Sequence, residues 1–380
     1  MDFDLFYTLI AMSSIGKILF VHQGFELYGS DRVLLLNIRA AKEKYPEMEI
    51  VVVLPRNGSL AKTLGTELGV KVIIKKLGVI RKYDLKRFNF SAVFQILTFF
   101  RLIKFLNSFK LVYINSMVIV DYMLAVRFIE KNKFIHVHEL PVGFSRFFFS
   151  KLLYYSKSRL IFISNASRNS FPALKNRTQQ ILWNGCRAIT DGKILLKDMY
   201  PINLLLIGRI NSWKGQPLLI NAIGSLAFTL RNRVRLRIVG DVFLKQKNLI
   251  SDLEKLIQTN DLREIVELLP FTDNPEVHYK WADVVIVPSL LPEPFGLVAI
   301  EAMSAGKLVI AARHGGLTEI ITDNVTGLLF NPGDSDDLAN KITDVLLNPE
   351  VIADFGKRAR LAYESSFTEE IYIKNLIEII

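Results

Sequence analysis

Short runs of consecutive apolar residues, many of them β-branched, alternate along this chain with longer helical stretches. That rhythm restricts the fold more than any other feature. The runs are residues 17–22 (KILFVH), 49–54 (EIVVVL), 70–74, 111–114, 134–138 and 160–164. Between them lie helical stretches at 32–44, 59–68, 90–106 and 121–131. A strand with one wet face alternates apolar and polar residues. These runs do not, so both of their faces must be covered. Covered strands separated by helices build a doubly wound parallel sheet. The charged stretch 191–201, with Gly and Pro, interrupts the rhythm. It restarts with runs at 203–207, 235–239, 265–268, 283–287, 308–311 and 326–330. The expectation is an α/β protein of two domains, 1–197 and 198–366, hinged near 191–201 and facing one another across a cleft. Residues 367–380 read as a C-terminal amphipathic helix. In such sheets ligands bind outside the carboxyl ends of the strands, where the strand order reverses.

A length of 380 residues suits two domains. With half its residues hydrophobic, the chain is neither disordered nor collagen-like. Its one cysteine, Cys186, excludes a disulfide framework or thiolate cage within the chain. Residues 1–197 hold 30 Lys+Arg against 13 Asp+Glu, while the remainder holds 18 against 24. Halves of opposite sign suggest different tasks, with the basic half facing something anionic. The best candidate for a membrane span, 88–106, carries Asn89, Gln95, Arg101 and Lys104, which a span does not tolerate well. The apolar N-terminus has Asp2 and Asp4 where a signal peptide needs positive charge, and reads as an extension before Met12. There is no G-x-G-x-x-G, which argues against a nicotinamide enzyme, and no G-x-S-x-G elbow for a serine triad.

The densest chemistry lies at 288–302 (PSLLPEPFGLVAIEA). Glu293 sits in a loop after a strand. Pro294 suits a helix start. Phe295, Gly296 and Leu297 then offer backbone N–H groups to an anion. Glu301 follows eight positions after Glu293, about two turns up a helix that begins near Pro294. Taken singly, the two glutamates read as a loop carboxylate and a solvated helix residue. Other landmarks surround them: Gly208-Arg209 then Lys214-Gly215, Val239-Gly240-Asp241, His314-Gly315-Gly316 then Glu319, and NVTGLLFNP at 324–332.

In this order and spacing the string resembles the signature of retaining glycosyltransferase family four, which has the GT-B fold. The match is dense from 204 to about 346 and looser through the first half. The resemblance implies two Rossmann-like doubly wound parallel-sheet domains facing a cleft, with the last helix crossing back to the first. It implies a sugar moved from a nucleotide-diphosphate donor to a hydroxyl acceptor, a saccharide or a lipid-linked one. Arg209 and Lys214 would face the diphosphate, Glu293 the donor sugar and Glu301 the ribose. Gly240, Phe295, Gly296, Leu297 and Glu319 would complete the donor site. In the first half Gly24 and Gly29 stand where the family has a Gly-rich loop, with Asp31 in place of its usual Glu. His138, at the end of a strand, aligns with the family's histidine near the reacting centre. His136 reads as a hydrogen-bonded core residue. No third ligand joins these two histidines, so no metal or other cofactor is expected. Of two D-x-D strings, Asp2-Phe3-Asp4 lies in the extension and Asp334-Ser335-Asp336 reads as a helix N-cap. An epimerase of similar fold and a catalytically silent nucleotide-sugar sensor are the competing readings. The basic, Phe-rich stretches 75–110 and 144–159 suggest a cytoplasmic protein docked peripherally on anionic membrane, with nucleic acid not expected as a partner.

Overall fold

In a computed structural model the described residues are 16–79, 92–189, 201–242 and 248–380. The N-terminal extension with Met12 and the first D-x-D, the hinge residues 191–200, and Arg81, Lys82, Lys86 and Arg87 of the basic stretch lie outside them. The chain forms two compact units. One holds the residues up to Asn184 together with Glu370–Ile380; the other is Gly185–Glu369.

The first unit is built on β1 (Lys17–Val21), β2 (Glu49–Leu54), β3 (Lys71–Ile74), β4 (Leu111–Ile114), β5 (Asn132–Val137), β6 (Arg159–Phe162) and β7 (Gln179–Ile181). All pair in parallel, in the order β3-β2-β1-β4-β5-β6-β7. Successive residues of each strand enter different cores. Leu19, Val21, Val51, Val53, Val112 and Ile114 pack with Leu102, Phe105, Tyr122 and Phe149. Their neighbours Ile18, Phe20, Val52 and Tyr113 pack with Leu34, Ile38, Leu60 and Leu64 on the opposite face. Each fully buried aliphatic side chain contributes about 1.5–3 kcal/mol, so neither face tolerates water. The C-terminal helix, Glu369–Ile379, belongs to this second core through Tyr372 and Leu376. The Lys44 ammonium donates to the carbonyls of Ile377 (2.6 Å) and Ile380 (2.8 Å). Those carbonyls are among the orphan acceptors of the helix end.

The second unit holds β8 (Ile202–Ile207), β9 (Val234–Val239), β10 (Val266–Leu269), β11 (Val284–Val287), β12 (Leu308–Ala312) and β13 (Leu328–Phe330). They too are all parallel, in the order β10-β9-β8-β11-β12-β13.

Some local expectations are corrected. β7 (QQI) is polar and partly exposed, so it has no apolar signature. The helix expected over 121–131 is shorter: Val120–Ala125, then a 3-10 turn Val126–Phe128. Lys133 stops it by donating to the carbonyls of Val126 (2.8 Å) and Ile129 (2.7 Å). β5 ends at Val137, leaving His138 just beyond the strand. The helix expected from Pro294 begins only at Leu297. Gly296 has φ +134°, outside helical space, and Gly316 N–H bonds the Glu293 carbonyl at 2.8 Å. Glu301 is therefore on the second turn of the helix Leu297–Ser304, not two turns above its start.

Candidate functional site

In each sheet the strand order reverses once, between β1 and β4 in the first unit and between β8 and β11 in the second. The residues singled out in the sequence gather at the carboxyl ends beside these two points.

In the second unit the loop after β8 carries Arg209 and Lys214, and the loop after β11 carries Glu293. The Lys214 ammonium lies 2.6 Å from Glu293 Oε1, joining the two loops across the reversal. Ser289 donates a second hydrogen bond to the same oxygen. The side chain of Glu293 is 8% exposed and that of Lys214 22%, so the carboxylate is the more buried partner. Lys214 also sits 4.6 Å from the centre of the Trp213 ring. The Asn211 side-chain oxygen accepts from the N–H groups of Trp213 (3.1 Å) and Lys214 (3.0 Å) and shapes this turn. Leu290 N–H bonds the Trp213 carbonyl at 2.7 Å, fastening loop to loop. Arg209 is half-buried, and Gln216 holds its carbonyl at 3.1 Å.

Close backbone contact explains Gly315, Gly316 and Gly240. A Cβ on Gly315 would lie 2.4 Å from the Glu293 carbonyl oxygen, and one on Gly316 2.5 Å from the Phe295 Cα. The His314-Gly315-Gly316 turn is thus the support against which the Glu293 loop rests. His314 Nε2–H donates to the Ser289 carbonyl at 2.8 Å. Gly240 fits against Gly208, whose carbonyl oxygen would be 1.9 Å from an added Cβ. Phe295 buries its ring against Phe367, at 6.1 Å between centroids, so only its backbone can meet a ligand. Tyr279, fully buried, donates to Glu301 Oε2 at 2.6 Å and fixes that carboxylate. Glu319 lies in the short helix Leu317–Ile320 that follows the glycine turn. The second D-x-D caps the helix Ser335–Leu347, with Asp334 accepting from the N–H groups of Asp336 and Asp337.

The first unit's reversal is built differently. His22 follows β1, and its Nε2 lies 2.7 Å from Asp31 Oδ1. Asn115 follows β4 and bonds both His22 Nδ1 (3.0 Å) and His138 Nε2 (2.9 Å). Gly24 covers the His22–Asp31 pair, since a Cβ there would lie 1.8 Å from Asp31 Oδ1. Gly29 opens the helix Gly29–Lys44, whose capping box uses Asp31. Burial, followed by the neighbouring His136 and His22, lowers the pKa of His138 well below its ordinary value. Burial alone takes His136 down to about 3. His136 bonds the Tyr113 hydroxyl at 2.9 Å and is fully buried, so it is a core residue. Glu139 accepts from Ser116 and from the His138 N–H (3.1 Å); burial raises its pKa against these bonds. Among the described residues no group of three or more His, Cys, Asp or Glu could hold a metal ion.

The structure therefore joins Lys214 to Glu293, braces that loop on Gly315 and Gly316, and places His138 in a separate polar cluster of the first unit. Sequence reasoning missed His22, Asn115, Asn37, Tyr372, Tyr279 and Ser289. A polar residue ending an apolar strand (KILFVH, LVYIN) was the available signal for His22 and Asn115. No comparable signal marked Tyr372.

Comparison with known proteins accords with this geometry. Residues 190–362 match the family described as Glycosyl transferases group 1. A lipopolysaccharide 1,2-N-acetylglucosaminetransferase of Salmonella typhimurium is 38% identical over 153 residues, 39% of this chain and 40% of the relative. An uncharacterized glycosyltransferase of Methanocaldococcus jannaschii is 32% identical over 219 residues, 57% of each chain. The chain spans about two-fifths of the length of most of the curated relatives it matches. Among solved structures, Anabaena HepE in complex with UDP and glucose superposes with a TM-score of 0.79 at 24% identity, covering 96% of this chain and 99% of that one. Sucrose-phosphate synthase from Thermosynechococcus elongatus gives 0.74 at 19% identity, covering 96% and 98%. The fold is GT-B, with two Rossmann-like domains.

Proposed function

We propose that the chain is a retaining glycosyltransferase that moves a sugar from a nucleotide-diphosphate donor to a hydroxyl of a saccharide or lipid-linked acceptor. The observation that carries this reading is the Lys214–Glu293 pair, held across the strand reversal where such sheets bind ligands. A diphosphate leaving group gains negative charge as the glycosidic bond breaks. Stabilising that charge is electrostatic catalysis. Lys214 supplies a compact cation, Arg209 a planar fork, and the start of the helix Leu297–Ser304 its backbone N–H groups. A diphosphate would compete with Glu293 for the Lys214 ammonium and free the carboxylate for sugar hydroxyls. Glu301, oriented by Tyr279, suits a vicinal diol such as ribose. Gly240, backed on Gly208, and Glu319 complete the donor side. His138, neutral through burial, suits a hydrogen bond to substrate, and Gly24 and Gly29 line the same end of the first sheet. No side chain serves as a covalent nucleophile in this reading. The displacement is front-face, with a leaving phosphate oxygen taking the acceptor's proton.

Two relatives support the substrate classes: HepE, in complex with UDP and glucose, and the Salmonella lipopolysaccharide 1,2-N-acetylglucosaminetransferase. The fixed cations make a metal cofactor unnecessary. The test is a screen of nucleotide sugars for release of nucleoside diphosphate with and without saccharide acceptors, with the product's anomeric configuration read by NMR. Acceptor-dependent release with retained configuration is expected. An inverted product overturns retention, an epimerised donor favours the epimerase, and binding without turnover favours a sensor.

The reading extends to a cytoplasmic enzyme docked peripherally on anionic membrane. Among the described residues no helix is long and apolar enough to cross one. The helix Phe144–Ser156 supports docking: Phe144, Phe147 and Tyr154 share an exposed face with Lys151, whose ammonium lies 4.4 Å from the Phe147 ring centre. Aromatic rings interleaved with cations suit a headgroup region. Cosedimentation with anionic vesicles is expected, together with its loss in Phe144→Ser/Phe147→Ser/Lys151→Glu. Equal partition onto neutral vesicles, or none onto either, overturns the docking.

A further inference from the structure

Five buried polar side chains from four separate segments form one continuous hydrogen-bonded chain in the first unit, and it ends on His138. Asp31, His22, Asn115, Asn37 and Tyr372 are all at most 2% exposed. The bond directions follow from the groups that can only accept and from the nearest partner at each ring nitrogen. A carboxylate only accepts. Asp31 Oδ2 takes the Tyr28 N–H at 3.1 Å, and Oδ1 takes His22 Nε2–H at 2.7 Å. Two groups of Asn115 lie near His22 Nδ1, the amide nitrogen at 3.0 Å and the main-chain carbonyl at 3.3 Å, and the nearer amide N–H makes Nδ1 the acceptor. That turns the Asn115 side-chain oxygen to the other side. There Asn37 Nδ2 (3.0 Å) and His138 Nε2 (2.9 Å) converge on it. The Tyr372 hydroxyl donates to the Asn37 oxygen, which keeps the Asn37 nitrogen directed at Asn115. An amide oxygen also only accepts, so His138 must carry its proton on Nε2. Its lone pair is then on Nδ1.

We propose that Asp31, His22 and Asn115 are positioning residues that fix His138 as the Nε2–H tautomer, so that it meets substrate with Nδ1 as a hydrogen-bond acceptor. This rests on the reading of His138 as a substrate-facing group. Two features show that the relay is built in. Gly24 leaves no room for a side chain above the His22–Asp31 pair, with an added Cβ 2.7 Å from His22 Nε2. Burial also keeps His138 out of its cationic form, so the choice of tautomer is the remaining freedom of the ring. A histidine's free nitrogen is set by the bond its other nitrogen makes. Here that bond traces back to a carboxylate three links away.

The chain has five histidines, so long-range 1H–15N correlation spectra of protein with 15N-labelled histidine rings are tractable. His138 is assigned by the signal lost in His138→Gln. The expected wild-type pattern is a pure Nε2–H tautomer. In Asp31→Asn the helix cap is retained, but the new amide can offer His22 either a donor or an acceptor. A second tautomer of His138 should then appear. The kcat should fall about tenfold, the scale seen when the hydrogen-bond partner behind a functional histidine is lost, with the donor KM nearly unchanged. A wild-type His138 in the Nδ1–H form, or as a mixture, overturns the proposal without any activity measurement. So does a fall in kcat with the tautomer unmoved, which would mark Asp31 as merely structural. The expected spectra with no turnover on any nucleotide sugar would leave the relay standing and sink the transferase reading instead.

Discussion

The two strand reversals solve the same topological problem with opposite chemistry. The second unit places a formal ion pair there, on two loops braced by backbone-to-backbone glycine contacts. The first unit places a buried relay there, with its carboxylate three bonds away from the histidine it directs. A growing negative charge calls for cations that can change partner, and an ion pair provides that. A directional hydrogen bond needs a fixed tautomer, which only a fully satisfied network supplies.

The comparison predicts its own largest break. Lys214→Ala should lower turnover by at least about 10²-fold, the scale for losing one preorganised electrostatic group. It also leaves the Glu293 carboxylate buried with Ser289 but without its counter-charge. A fully buried broken pair costs about 3–5 kcal/mol, and the partial exposure of Lys214 reduces that. Glu293→Ala should lower turnover comparably while costing less stability, since Lys214 can turn to water. Steady-state kinetics beside calorimetric unfolding separates the two effects. A folded Lys214→Ala with near-normal turnover removes the diphosphate assignment.

A smaller effect is expected in acid. His136 and His138 have folded pKa values lowered by burial, His136 to about 3. The unfolded chain therefore binds more protons than the native one between the ordinary histidine range and about pH 3. Stability falls as pH drops through that window. Glu139 and Asp121 oppose this within the same unit, since burial raises both and their contributions grow as the groups protonate. The acid loss of amide-exchange protection in the first unit at about pH 4.5 should therefore shrink in His136→Gln, which keeps a polar partner for Tyr113 and cannot titrate. An unchanged acid profile in that variant contradicts the account. At the small end stands EDTA, which should leave turnover unchanged. Complete loss, restored by Mg²⁺ or Mn²⁺, would mean that Lys214 and Arg209 do not suffice for the leaving group.

The same contrast explains what could be read from the chain. Apolar runs announce themselves even where a strand, like β3, is partly exposed, so among the described residues twelve of the thirteen strands carry a sequence signature, and β7, polar and partly exposed, does not. The donor-side residues sit within short loops, and their spacing survives as a string. The relay is assembled from positions as far apart as Asn37 and Tyr372, and nothing local ties such residues together. The start of the helix at Leu297 was hidden for a related reason. It depends on Gly296 and on a bond from Gly316 that arrives from another strand's loop.

Residues 370–380 belong to the unit whose strands β1–β7 all precede residue 185. During synthesis the first sheet therefore waits, with one stretch of its apolar face uncovered, until the second unit has been made. The second unit has all of its own residues earlier. A premature stop near residue 368 should spare the later-encoded domain and cripple the earlier one. It would also remove the tyrosine that directs Asn37 toward Asn115. Translation through that helix thus becomes a condition for ordering the polar cluster around His138.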